Sequence, residues 1–142
     1  MFLIFCIRCR VLYNYYMTTT LKFSPEELAQ YRLTARSRQD ERIFEVRPRM
    51  EKGWALARAA AEVLRKQYYA QRVVVFGSLL HEERFTQWSD VDIAAWGIPP
   101  DQTFRAIGAV MDMDLSITVN LVDVNTCSLS LLGAIEQEAA DL

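Results

Sequence analysis

Residues 73–96 read VVVFGSLLHEERFTQWSDVDIAAW, and this stretch decides both the fold and the candidate chemistry. An apolar strand ends at Gly77 and Ser78, eleven residues follow, and Asp90 and Asp92 then open a second apolar strand. Because successive side chains alternate across a sheet, residues two apart point to the same face. The two carboxylates are therefore expected side by side, where a divalent cation would relieve their repulsion.

The Gly77-Ser78 pair adds a second feature of the same chemistry. Glycine lets the backbone turn tightly and approach a ligand, and Ser78 can begin a helix whose free N–H groups favour phosphate. A carboxylate pair beside a phosphate-binding turn predicts a site for a Mg²⁺–nucleoside triphosphate. Asp90 and Asp92 would be the metal ligands, and Gly77 and Ser78 would bind the nucleotide.

The ordered set of strand, Gly-Ser, spacer, Asp-x-Asp strand, helix and further strand resembles the nucleotidyltransferase superfamily, which has a DNA polymerase β-like fold. More narrowly, residues 76–78, 88–94 and 119–124 resemble the MNT-type minimal nucleotidyltransferases, which are commonly the antitoxins of HEPN-domain toxins. The resemblance covers roughly residues 70–142. It implies ATP as co-substrate, Mg²⁺ as cofactor and a HEPN-type toxin as protein partner.

One position departs from the pattern of that family. Its third carboxylate usually lies on the next strand, where this chain has Asn120. Asparagine can offer an oxygen to Mg²⁺ but carries no charge and cannot act as a base. Asp123 lies three residues on, hence on the opposite face of a regular strand, and only a β-bulge would bring it to the site. The resemblance thus places Asp90, Asp92 and Asn120 at catalytic positions, and Arg84 is a candidate for the nucleotide-binding arginine of many relatives.

Two helices are predicted before the first strand. Ser24 can cap a helix that has Pro25 at its first position and a glutamate three residues after the serine. This helix is expected to run to about Val46, because Pro48 disfavours helical geometry just before it. A second helix should follow, with an apolar stripe at helical spacing over residues 54–68 that can pack on a sheet.

The remaining elements alternate strands and helices. Strands are predicted over 72–76, 91–96 and 117–124, and helices are predicted to begin near Asp101 and Ser128. Phe104 and Met111 are expected in the core from their spacing, and Trp88 is expected to pack the loop beneath the site. The predicted fold class is α/β (α+β): a nucleotidyltransferase fold with a small mixed β-sheet flanked by helices and an N-terminal helical extension.

The chain divides into three predicted regions. Residues 1–16 look out of place, because the apolar run 1–7 is too short to span a bilayer and lacks the basic leader of a secretory signal. Met17 reads like a natural start, so residues 1–16 are expected to be a disordered extension or a mis-assigned start. Residues 17–69 would form the N-terminal helices, and residues 70–142 the minimal nucleotidyltransferase domain.

Charge is distributed unevenly along the chain. Residues 1–72 hold fourteen Lys and Arg against seven Asp and Glu, whereas residues 73–142 hold two against eleven. The acidic half could hold Mg²⁺ and the basic half could meet triphosphate or an acidic partner, although a solvated basic helix face is the simpler explanation. No basic-aromatic motif indicates nucleic acid. The three cysteines form neither a zinc pattern nor a disulfide framework, so a cytoplasmic protein is expected.

Two functions are compatible with this pattern. The first is a Mg²⁺-dependent transferase that moves AMP from ATP to a hydroxyl, a tyrosine of a HEPN-type toxin, and so acts as an antitoxin. The second is a catalytically weakened nucleotidyltransferase-fold module that neutralises a protein partner by binding, which Asn120 favours. An aminoglycoside nucleotidyltransferase is disfavoured because no second domain is present to hold a small substrate. No membrane association is indicated.

Overall fold

The computed structural model describes residues 23–142. Within this range, residues 23–37 and 38–142 belong to separate units, and helix α1 (Pro25–Tyr68) begins in the first and ends in the second. The second unit contains, in chain order, β1 (Arg72–Phe76), a 3₁₀ helix (Gly77–Leu80), β2 (Val91–Trp96), α2 (Thr103–Met111), β3 (Val119–Asp123), α3 (Leu129–Glu138) and β4 (Ala140–Asp141). The predictions for residues 1–16 and Met17 lie outside the described residues, and the predicted domain boundary at residue 70 stays a prediction.

The four strands form one mixed sheet in the order β3-β2-β1-β4. Strand β1 pairs antiparallel with β2 and with β4, whereas β2 and β3 are parallel. A parallel pair needs a crossover connection, and α2 supplies it between β2 and β3. The predicted strands and the predicted small mixed sheet flanked by helices are therefore confirmed.

The predicted helix break before Pro48 is wrong, because α1 continues through it to Tyr68. Proline removes one backbone donor and normally costs about 3 kcal/mol inside a helix. Here Pro48 is exposed, and so is Phe44, whose carbonyl would have accepted that bond, so water can solvate the carbonyl. The predicted start of the helix is confirmed: Glu27 N–H donates to Ser24 Oγ at 3.1 Å, and Ser24 N–H donates to Glu27 Oε2 at 2.7 Å.

Helices cover both faces of the sheet. On one face, buried residues of α1 and α2 pack against the strands, among them Ala57, Leu64 and Val110. On the other face, Ile135 of α3 packs with Val74 of β1 and with neighbouring strand residues. Helix α3 begins as predicted, with Ser128 Oγ accepting a hydrogen bond from Leu131 N–H at 3.3 Å. Among residues 23–142, no helix has the length and apolar character needed to cross a bilayer.

Three apolar side chains predicted to pack inside are exposed instead. Phe104 is 86% exposed, Met111 is 47% exposed and Trp88 in the loop before β2 is 82% exposed. The buried face of α2 is shifted by one residue from the predicted face, because Thr103, Ala106 and Val110 are the buried residues. The helix begins at Thr103, with Gln102 rather than Asp101 at its N-cap. Thr103 can be buried because its hydroxyl donates a hydrogen bond to Asp123 Oδ2. The adjacent stripe through Phe104 therefore faces solvent.

Gly53 provides a test of how α1 packs on the sheet. A side chain there would place its Cβ 3.0 Å from Leu79 Cδ1 and 3.4 Å from Val91 Cγ2. We expect Gly53→Val to lower the free energy of unfolding by about 1–3 kcal/mol, as overpacking does. Urea denaturation measures this change.

The matched control is Gly108→Ala on α2, where an added Cβ meets nothing within 4 Å. Only helix propensity then acts, so this variant should be more stable by about 0.5–1 kcal/mol. Unchanged stability of Gly53→Val would contradict the described packing of α1 against the 3₁₀ helix and β2.

Candidate nucleotide and metal site

The predicted site residues meet where β1 ends and β2 and β3 begin. Phe76, Asp92 and Asn120 form one row across these three strands. Asn120 Nδ2 donates a hydrogen bond to Asp92 Oδ1 at 3.0 Å, and both side chains are half-buried. The sheet register therefore brings Asp92 and Asn120 together, as the strand parity predicts.

This row lies on the face of the sheet that α3 covers further along. Ala94 and Val122 follow Asp92 and Asn120 by two residues, and they pack in the cluster that contains Ile135 of α3. The apolar packing of this face therefore begins two residues after the polar pair. The polar pair occupies the end of that face, where it remains partly open to solvent.

Gly77 turns the chain next to the carboxylate of Asp92. Its φ is +78°, in the left-handed region that favours glycine, and a Cβ placed on it would lie 3.2 Å from Asp92 Oδ2. The missing side chain leaves room beside that oxygen. The helix predicted to start at Ser78 is a four-residue 3₁₀ helix, in which Ser78 is half-buried.

Asp90 lies one residue before β2 and two residues before Asp92, and it is half-buried. The start of the strand after it is fixed by Val91 N–H, which donates to Thr118 O at 2.9 Å. Because Thr118 immediately precedes β3, this bond ties the entries of the two parallel strands to each other. The backbone positions of Asp90 and Asn120 are therefore coupled.

Arg49 on α1 holds the same two loops, and the sequence analysis missed it. Its Nη2 donates to Ser89 O at 3.1 Å, just before Asp90, and its Nη1 donates to Ser116 O at 2.8 Å, before β3. A planar guanidinium presents one NH₂ group to each carbonyl, whereas an ammonium has a single nitrogen. The only sequence signal was an arginine near the predicted helix stripe, because its partners are backbone groups far along the chain.

Lys52, one helical turn further on, supports the loop before β3. Its Nζ lies 2.7 Å from Asp114 Oδ2 and donates to Ser116 Oγ at 2.7 Å. The Lys52 ammonium, with further donors from Ser116, holds the pKa of Asp114 well below its usual range. Two side chains of α1 thus anchor the segment that leads into Asn120.

Asp123 has a structural role on the opposite face, as the parity of β3 predicts. It is buried, and its carboxylate accepts bonds from the Thr103 hydroxyl at 2.6 Å and from Asn125 N–H at 3.0 Å. The pairing of β2 with β3 runs without interruption from Val91 to Ala95. The β-bulge that would have turned Asp123 towards the site is therefore not present in this pairing.

Two further side chains lie in the loop after the 3₁₀ helix, namely the predicted nucleotide-binding Arg84 and the histidine His81. Arg84 is exposed, and its backbone N–H donates to His81 O at 3.0 Å. Its contact with a nucleotide stays a prediction. His81 lies between two glutamates, with Nδ1 3.6 Å from Glu83 Oε1 and Nε2 4.0 Å from Glu138 Oε2. Those carboxylates make the surroundings of His81 unfavourable for phosphate.

The donors at the site fit Mg²⁺ that is shared with a triphosphate. Among residues 23–142, no group of three or more His, Cys, Asp or Glu side chains could form an all-protein metal cage. Mg²⁺ does not require one, since it is usually held by one or two carboxylates, substrate phosphates and water. Asp90 and Asp92 would supply the carboxylates, and Gly77 brings no side chain against Asp92 Oδ2.

A cleft of about 390 Å³ opens between α1 and the loop that leads to Asp90. Apolar side chains of Ile43, Val46 and Phe85 line it, together with acidic side chains that include Glu45 and those of residues 82–83. Arg49 also lines the cleft, and through Ser89 it connects the cleft wall to the carboxylate site. The cleft is therefore linked to the site through the backbone of the residue before Asp90.

No family model matches this chain, and no curated protein matches it either. Among solved structures, a chain in the complex of a tri-AMPylated Shewanella oneidensis HEPN toxin with an MNT antitoxin is similar. It has 19% sequence identity and a TM-score of 0.46, and the match covers 63% of this chain and 70% of that one. Two substituted forms of the toxin–antitoxin complex MntA–HpeT are also similar, at 24% and 20% identity, each with a TM-score of 0.48. These matches cover 60% of this chain and 69% and 70% of those chains.

The role of Arg49 as an anchor can be measured directly. We expect Arg49→Ala to lower the free energy of unfolding by about 2–3 kcal/mol, because two charge-assisted hydrogen bonds to carbonyls are lost. Arg49→Lys should recover less than half of that loss, since one nitrogen replaces the two separate NH₂ groups that reach the two carbonyls.

Arg47→Ala is the matched control, because Arg47 lies two residues away on the exposed side of the same helix. Its effect should stay within about 0.5 kcal/mol. Equal losses for the two alanine variants in chemical denaturation would contradict the anchoring role.

Proposed function

We propose that this chain is a Mg²⁺-dependent nucleotidyltransferase that transfers AMP from ATP to a hydroxyl of a protein partner, a tyrosine of a HEPN-type toxin, and acts as its antitoxin. The observation that carries the proposal is the meeting of Gly77, Asp92 and Asn120 at one edge of the sheet, with Asp90 two residues away. ATP, the tyrosine acceptor and the toxin partner come from the resemblance of the motifs to MNT-type nucleotidyltransferases.

The reaction requires little covalent chemistry from the protein. The acceptor oxygen forms a bond to the α-phosphorus, the bond from that phosphorus to pyrophosphate breaks, and the hydroxyl proton leaves. Mg²⁺, when bound, would neutralise triphosphate charge and lower the pKa of the attacking hydroxyl. Asp90 and Asp92 would hold the ion, and Gly77 would let the backbone approach the phosphates. The Ser78 hydroxyl would donate a hydrogen bond to the phosphates.

Asn120 has a different task from the two aspartates. Its amide cannot accept the proton of the attacking hydroxyl, so that proton must pass to a carboxylate or to water. What Asn120 does is donate to Asp92 Oδ1 and hold that carboxylate in place. In this proposal, Asp90 and Asp92 are the ligands and Asn120 is a positioning residue.

The cleft beside the site supports a macromolecular acceptor. Its lining carries three glutamates, Glu45 and those of residues 82–83, against Arg42 and Arg49, so its charge is mixed and lacks the net positive charge that favours a triphosphate; the nucleotide is therefore assigned to the Gly77 edge. Its apolar floor suits a side chain of a peptide segment. An acceptor segment bound there would lie next to Asp90, because Arg49 joins the cleft wall to Ser89.

The second candidate function is neutralisation of a protein partner by binding alone. It is favoured by the neutral amide at position 120, since a site with two carboxylates attracts a divalent cation less strongly than one with three. The same fold and surface would then act without chemistry. The two functions predict different outcomes when Asp92 is changed.

Transfer is tested with ATP labelled at the α-phosphate, Mg²⁺ and lysate of the source organism. We expect a labelled protein band with the unsubstituted chain and a rate lower by about 100-fold or more with Asp92→Asn, which removes a charged ligand of the Mg²⁺ that would stabilise the reacting phosphates. ATP labelled at the γ-phosphate is the control for phosphorylation, and it should give no band.

Asp101→Asn is the matched control variant, because it removes an exposed carboxylate in the turn before α2 and should leave labelling unchanged. A band that persists with Asp92→Asn would contradict the proposed catalytic site. The absence of a band, with one specific partner co-precipitated by both the unsubstituted chain and Asp92→Asn, would establish the binding function instead.

The acceptor cleft gives a separate prediction. Ile43→Arg introduces a charge into the cleft, whereas Phe44→Arg places the same charge on a neighbouring side chain that is 76% exposed. We expect Ile43→Arg to reduce labelling of the protein acceptor about 10-fold or more while the affinity for a non-hydrolysable ATP analogue is unchanged. Phe44→Arg should leave both properties unchanged. Equal labelling by the two variants would exclude this cleft as the acceptor site.

A further inference from the structure

We infer that Asn120 makes the carboxylate site stable without a cation, so that a divalent ion binds strongly only together with the triphosphate. The inference rests on the proposed function, because it concerns the order in which that function's ligands bind. It assigns the neutral residue at position 120 a positive role, namely control of when the site is loaded.

The first step is the geometry of the pair. Asp92 and Asn120 are directly opposite each other in the register of two parallel strands, and their side chains share one face of the sheet. Asn120 Nδ2 lies 3.0 Å from Asp92 Oδ1. An ionised carboxylate only accepts hydrogen bonds, so the amide must present its NH₂ group to it. The orientation of the amide therefore follows from its partner.

The second step concerns the cation-free state. Like charges directly opposite each other on neighbouring strands are destabilising. A carboxylate at position 120 would oppose Asp92 in this way, with Asp90 two residues along, and a bound cation would be needed to compensate. With Asn120, the same contact is a hydrogen bond to a charged acceptor, which is among the stronger kinds in proteins.

The third step concerns cation affinity. The amide donates to Asp92 Oδ1, and Asp92 Oδ2 is the carboxylate oxygen that faces Gly77, where a Cβ would lie 3.2 Å from it. The site therefore offers two negative charges instead of three. Affinity for a hard divalent cation decreases as the number of charged ligands decreases. The phosphates of the nucleotide supply the missing charge. The cation is thus expected to be retained as part of a metal–triphosphate complex.

The test compares thermal unfolding of the full chain and of Asn120→Asp, each alone, with millimolar MgCl₂, and with MgCl₂ plus a non-hydrolysable ATP analogue. Alone, Asn120→Asp should unfold about 5 °C or more below the unsubstituted chain. MgCl₂ should recover most of that loss in Asn120→Asp and leave the unsubstituted chain unchanged. MgCl₂ with the analogue should raise the Tm of the unsubstituted chain.

Gln67→Glu is the control, because it makes the same change from an amide to a carboxylate at an exposed position of α1. It should show no response to MgCl₂. Equal behaviour of Asn120→Asp and Gln67→Glu without metal would overturn the inference, and so would a MgCl₂ response of the unsubstituted chain as large as that of Asn120→Asp.

The exchanged pair, Asp92→Asn with Asn120→Asp, keeps the inference testable if Asn120→Asp does not fold. One carboxylate again faces one amide, so metal-free stability should return and the response to MgCl₂ alone should disappear. An exchanged pair as unstable as Asn120→Asp would overturn the inference. Failure of the proposed function gives a different result: MgCl₂ with the analogue would stabilise no variant beyond MgCl₂ alone, while the metal-free ranking of the variants would be retained.

Discussion

The register of the parallel strands β2 and β3 is the constraint on which both the core and the site depend. It places Asp92 opposite Asn120 on one face and Val91 opposite Val119 on the other, where both valines are fully buried. A slip of one residue in either strand would exchange the two sets, bringing a carboxylate into the core and a valine into the site. The burial of the odd-numbered residues therefore fixes the position of the polar pair. The energy that holds the site in place is the hydrophobic energy of the opposite face.

Side chains of helix α1 hold the loops that lead into β2 and β3. Arg49 and Lys52 hold the segments before β2 and β3, and Gly53 allows the helix to lie close to Leu79 and Val91. These contacts come from three neighbouring positions of a helix whose backbone continues through a proline. The packing that follows Pro48 compensates for one missing backbone hydrogen bond. The helix therefore supports the site from the side opposite to the polar pair.

Much of the architecture could be predicted from the sequence because it depends on local pattern. The alternation of β2 and β3 predicts which side chains share a face, and it correctly places Asn120 beside Asp92 and Asp123 on the opposite face. The predicted helix break at Pro48 and the predicted burial of Phe104 are wrong, because both depend on the surroundings of the residue in the folded chain. Solvent can satisfy the carbonyl freed by Pro48, and Asp123 accepts a hydrogen bond from the buried Thr103. Arg49 was missed because its acceptors are backbone carbonyls, which leave no trace in the sequence. The placement of a nucleotide, of Mg²⁺ and of Arg84 remains a prediction.

The two candidate functions require the same fold and the same arrangement of Asp92 and Asn120. They differ in whether the stability of that arrangement depends on a bound cation. A fold that needed a cation to relieve three converging carboxylates would be tied to catalysis, because its stability would depend on the same ion as its chemistry. Here the hydrogen bond between Asn120 and Asp92 separates the two requirements. Under the proposed function, the chain would present its surface to a partner without a metal, and transfer would require metal-bound nucleotide at the Gly77 edge. Binding of a partner and modification of that partner would then be successive states of one molecule, with occupancy by the metal–triphosphate complex deciding between them.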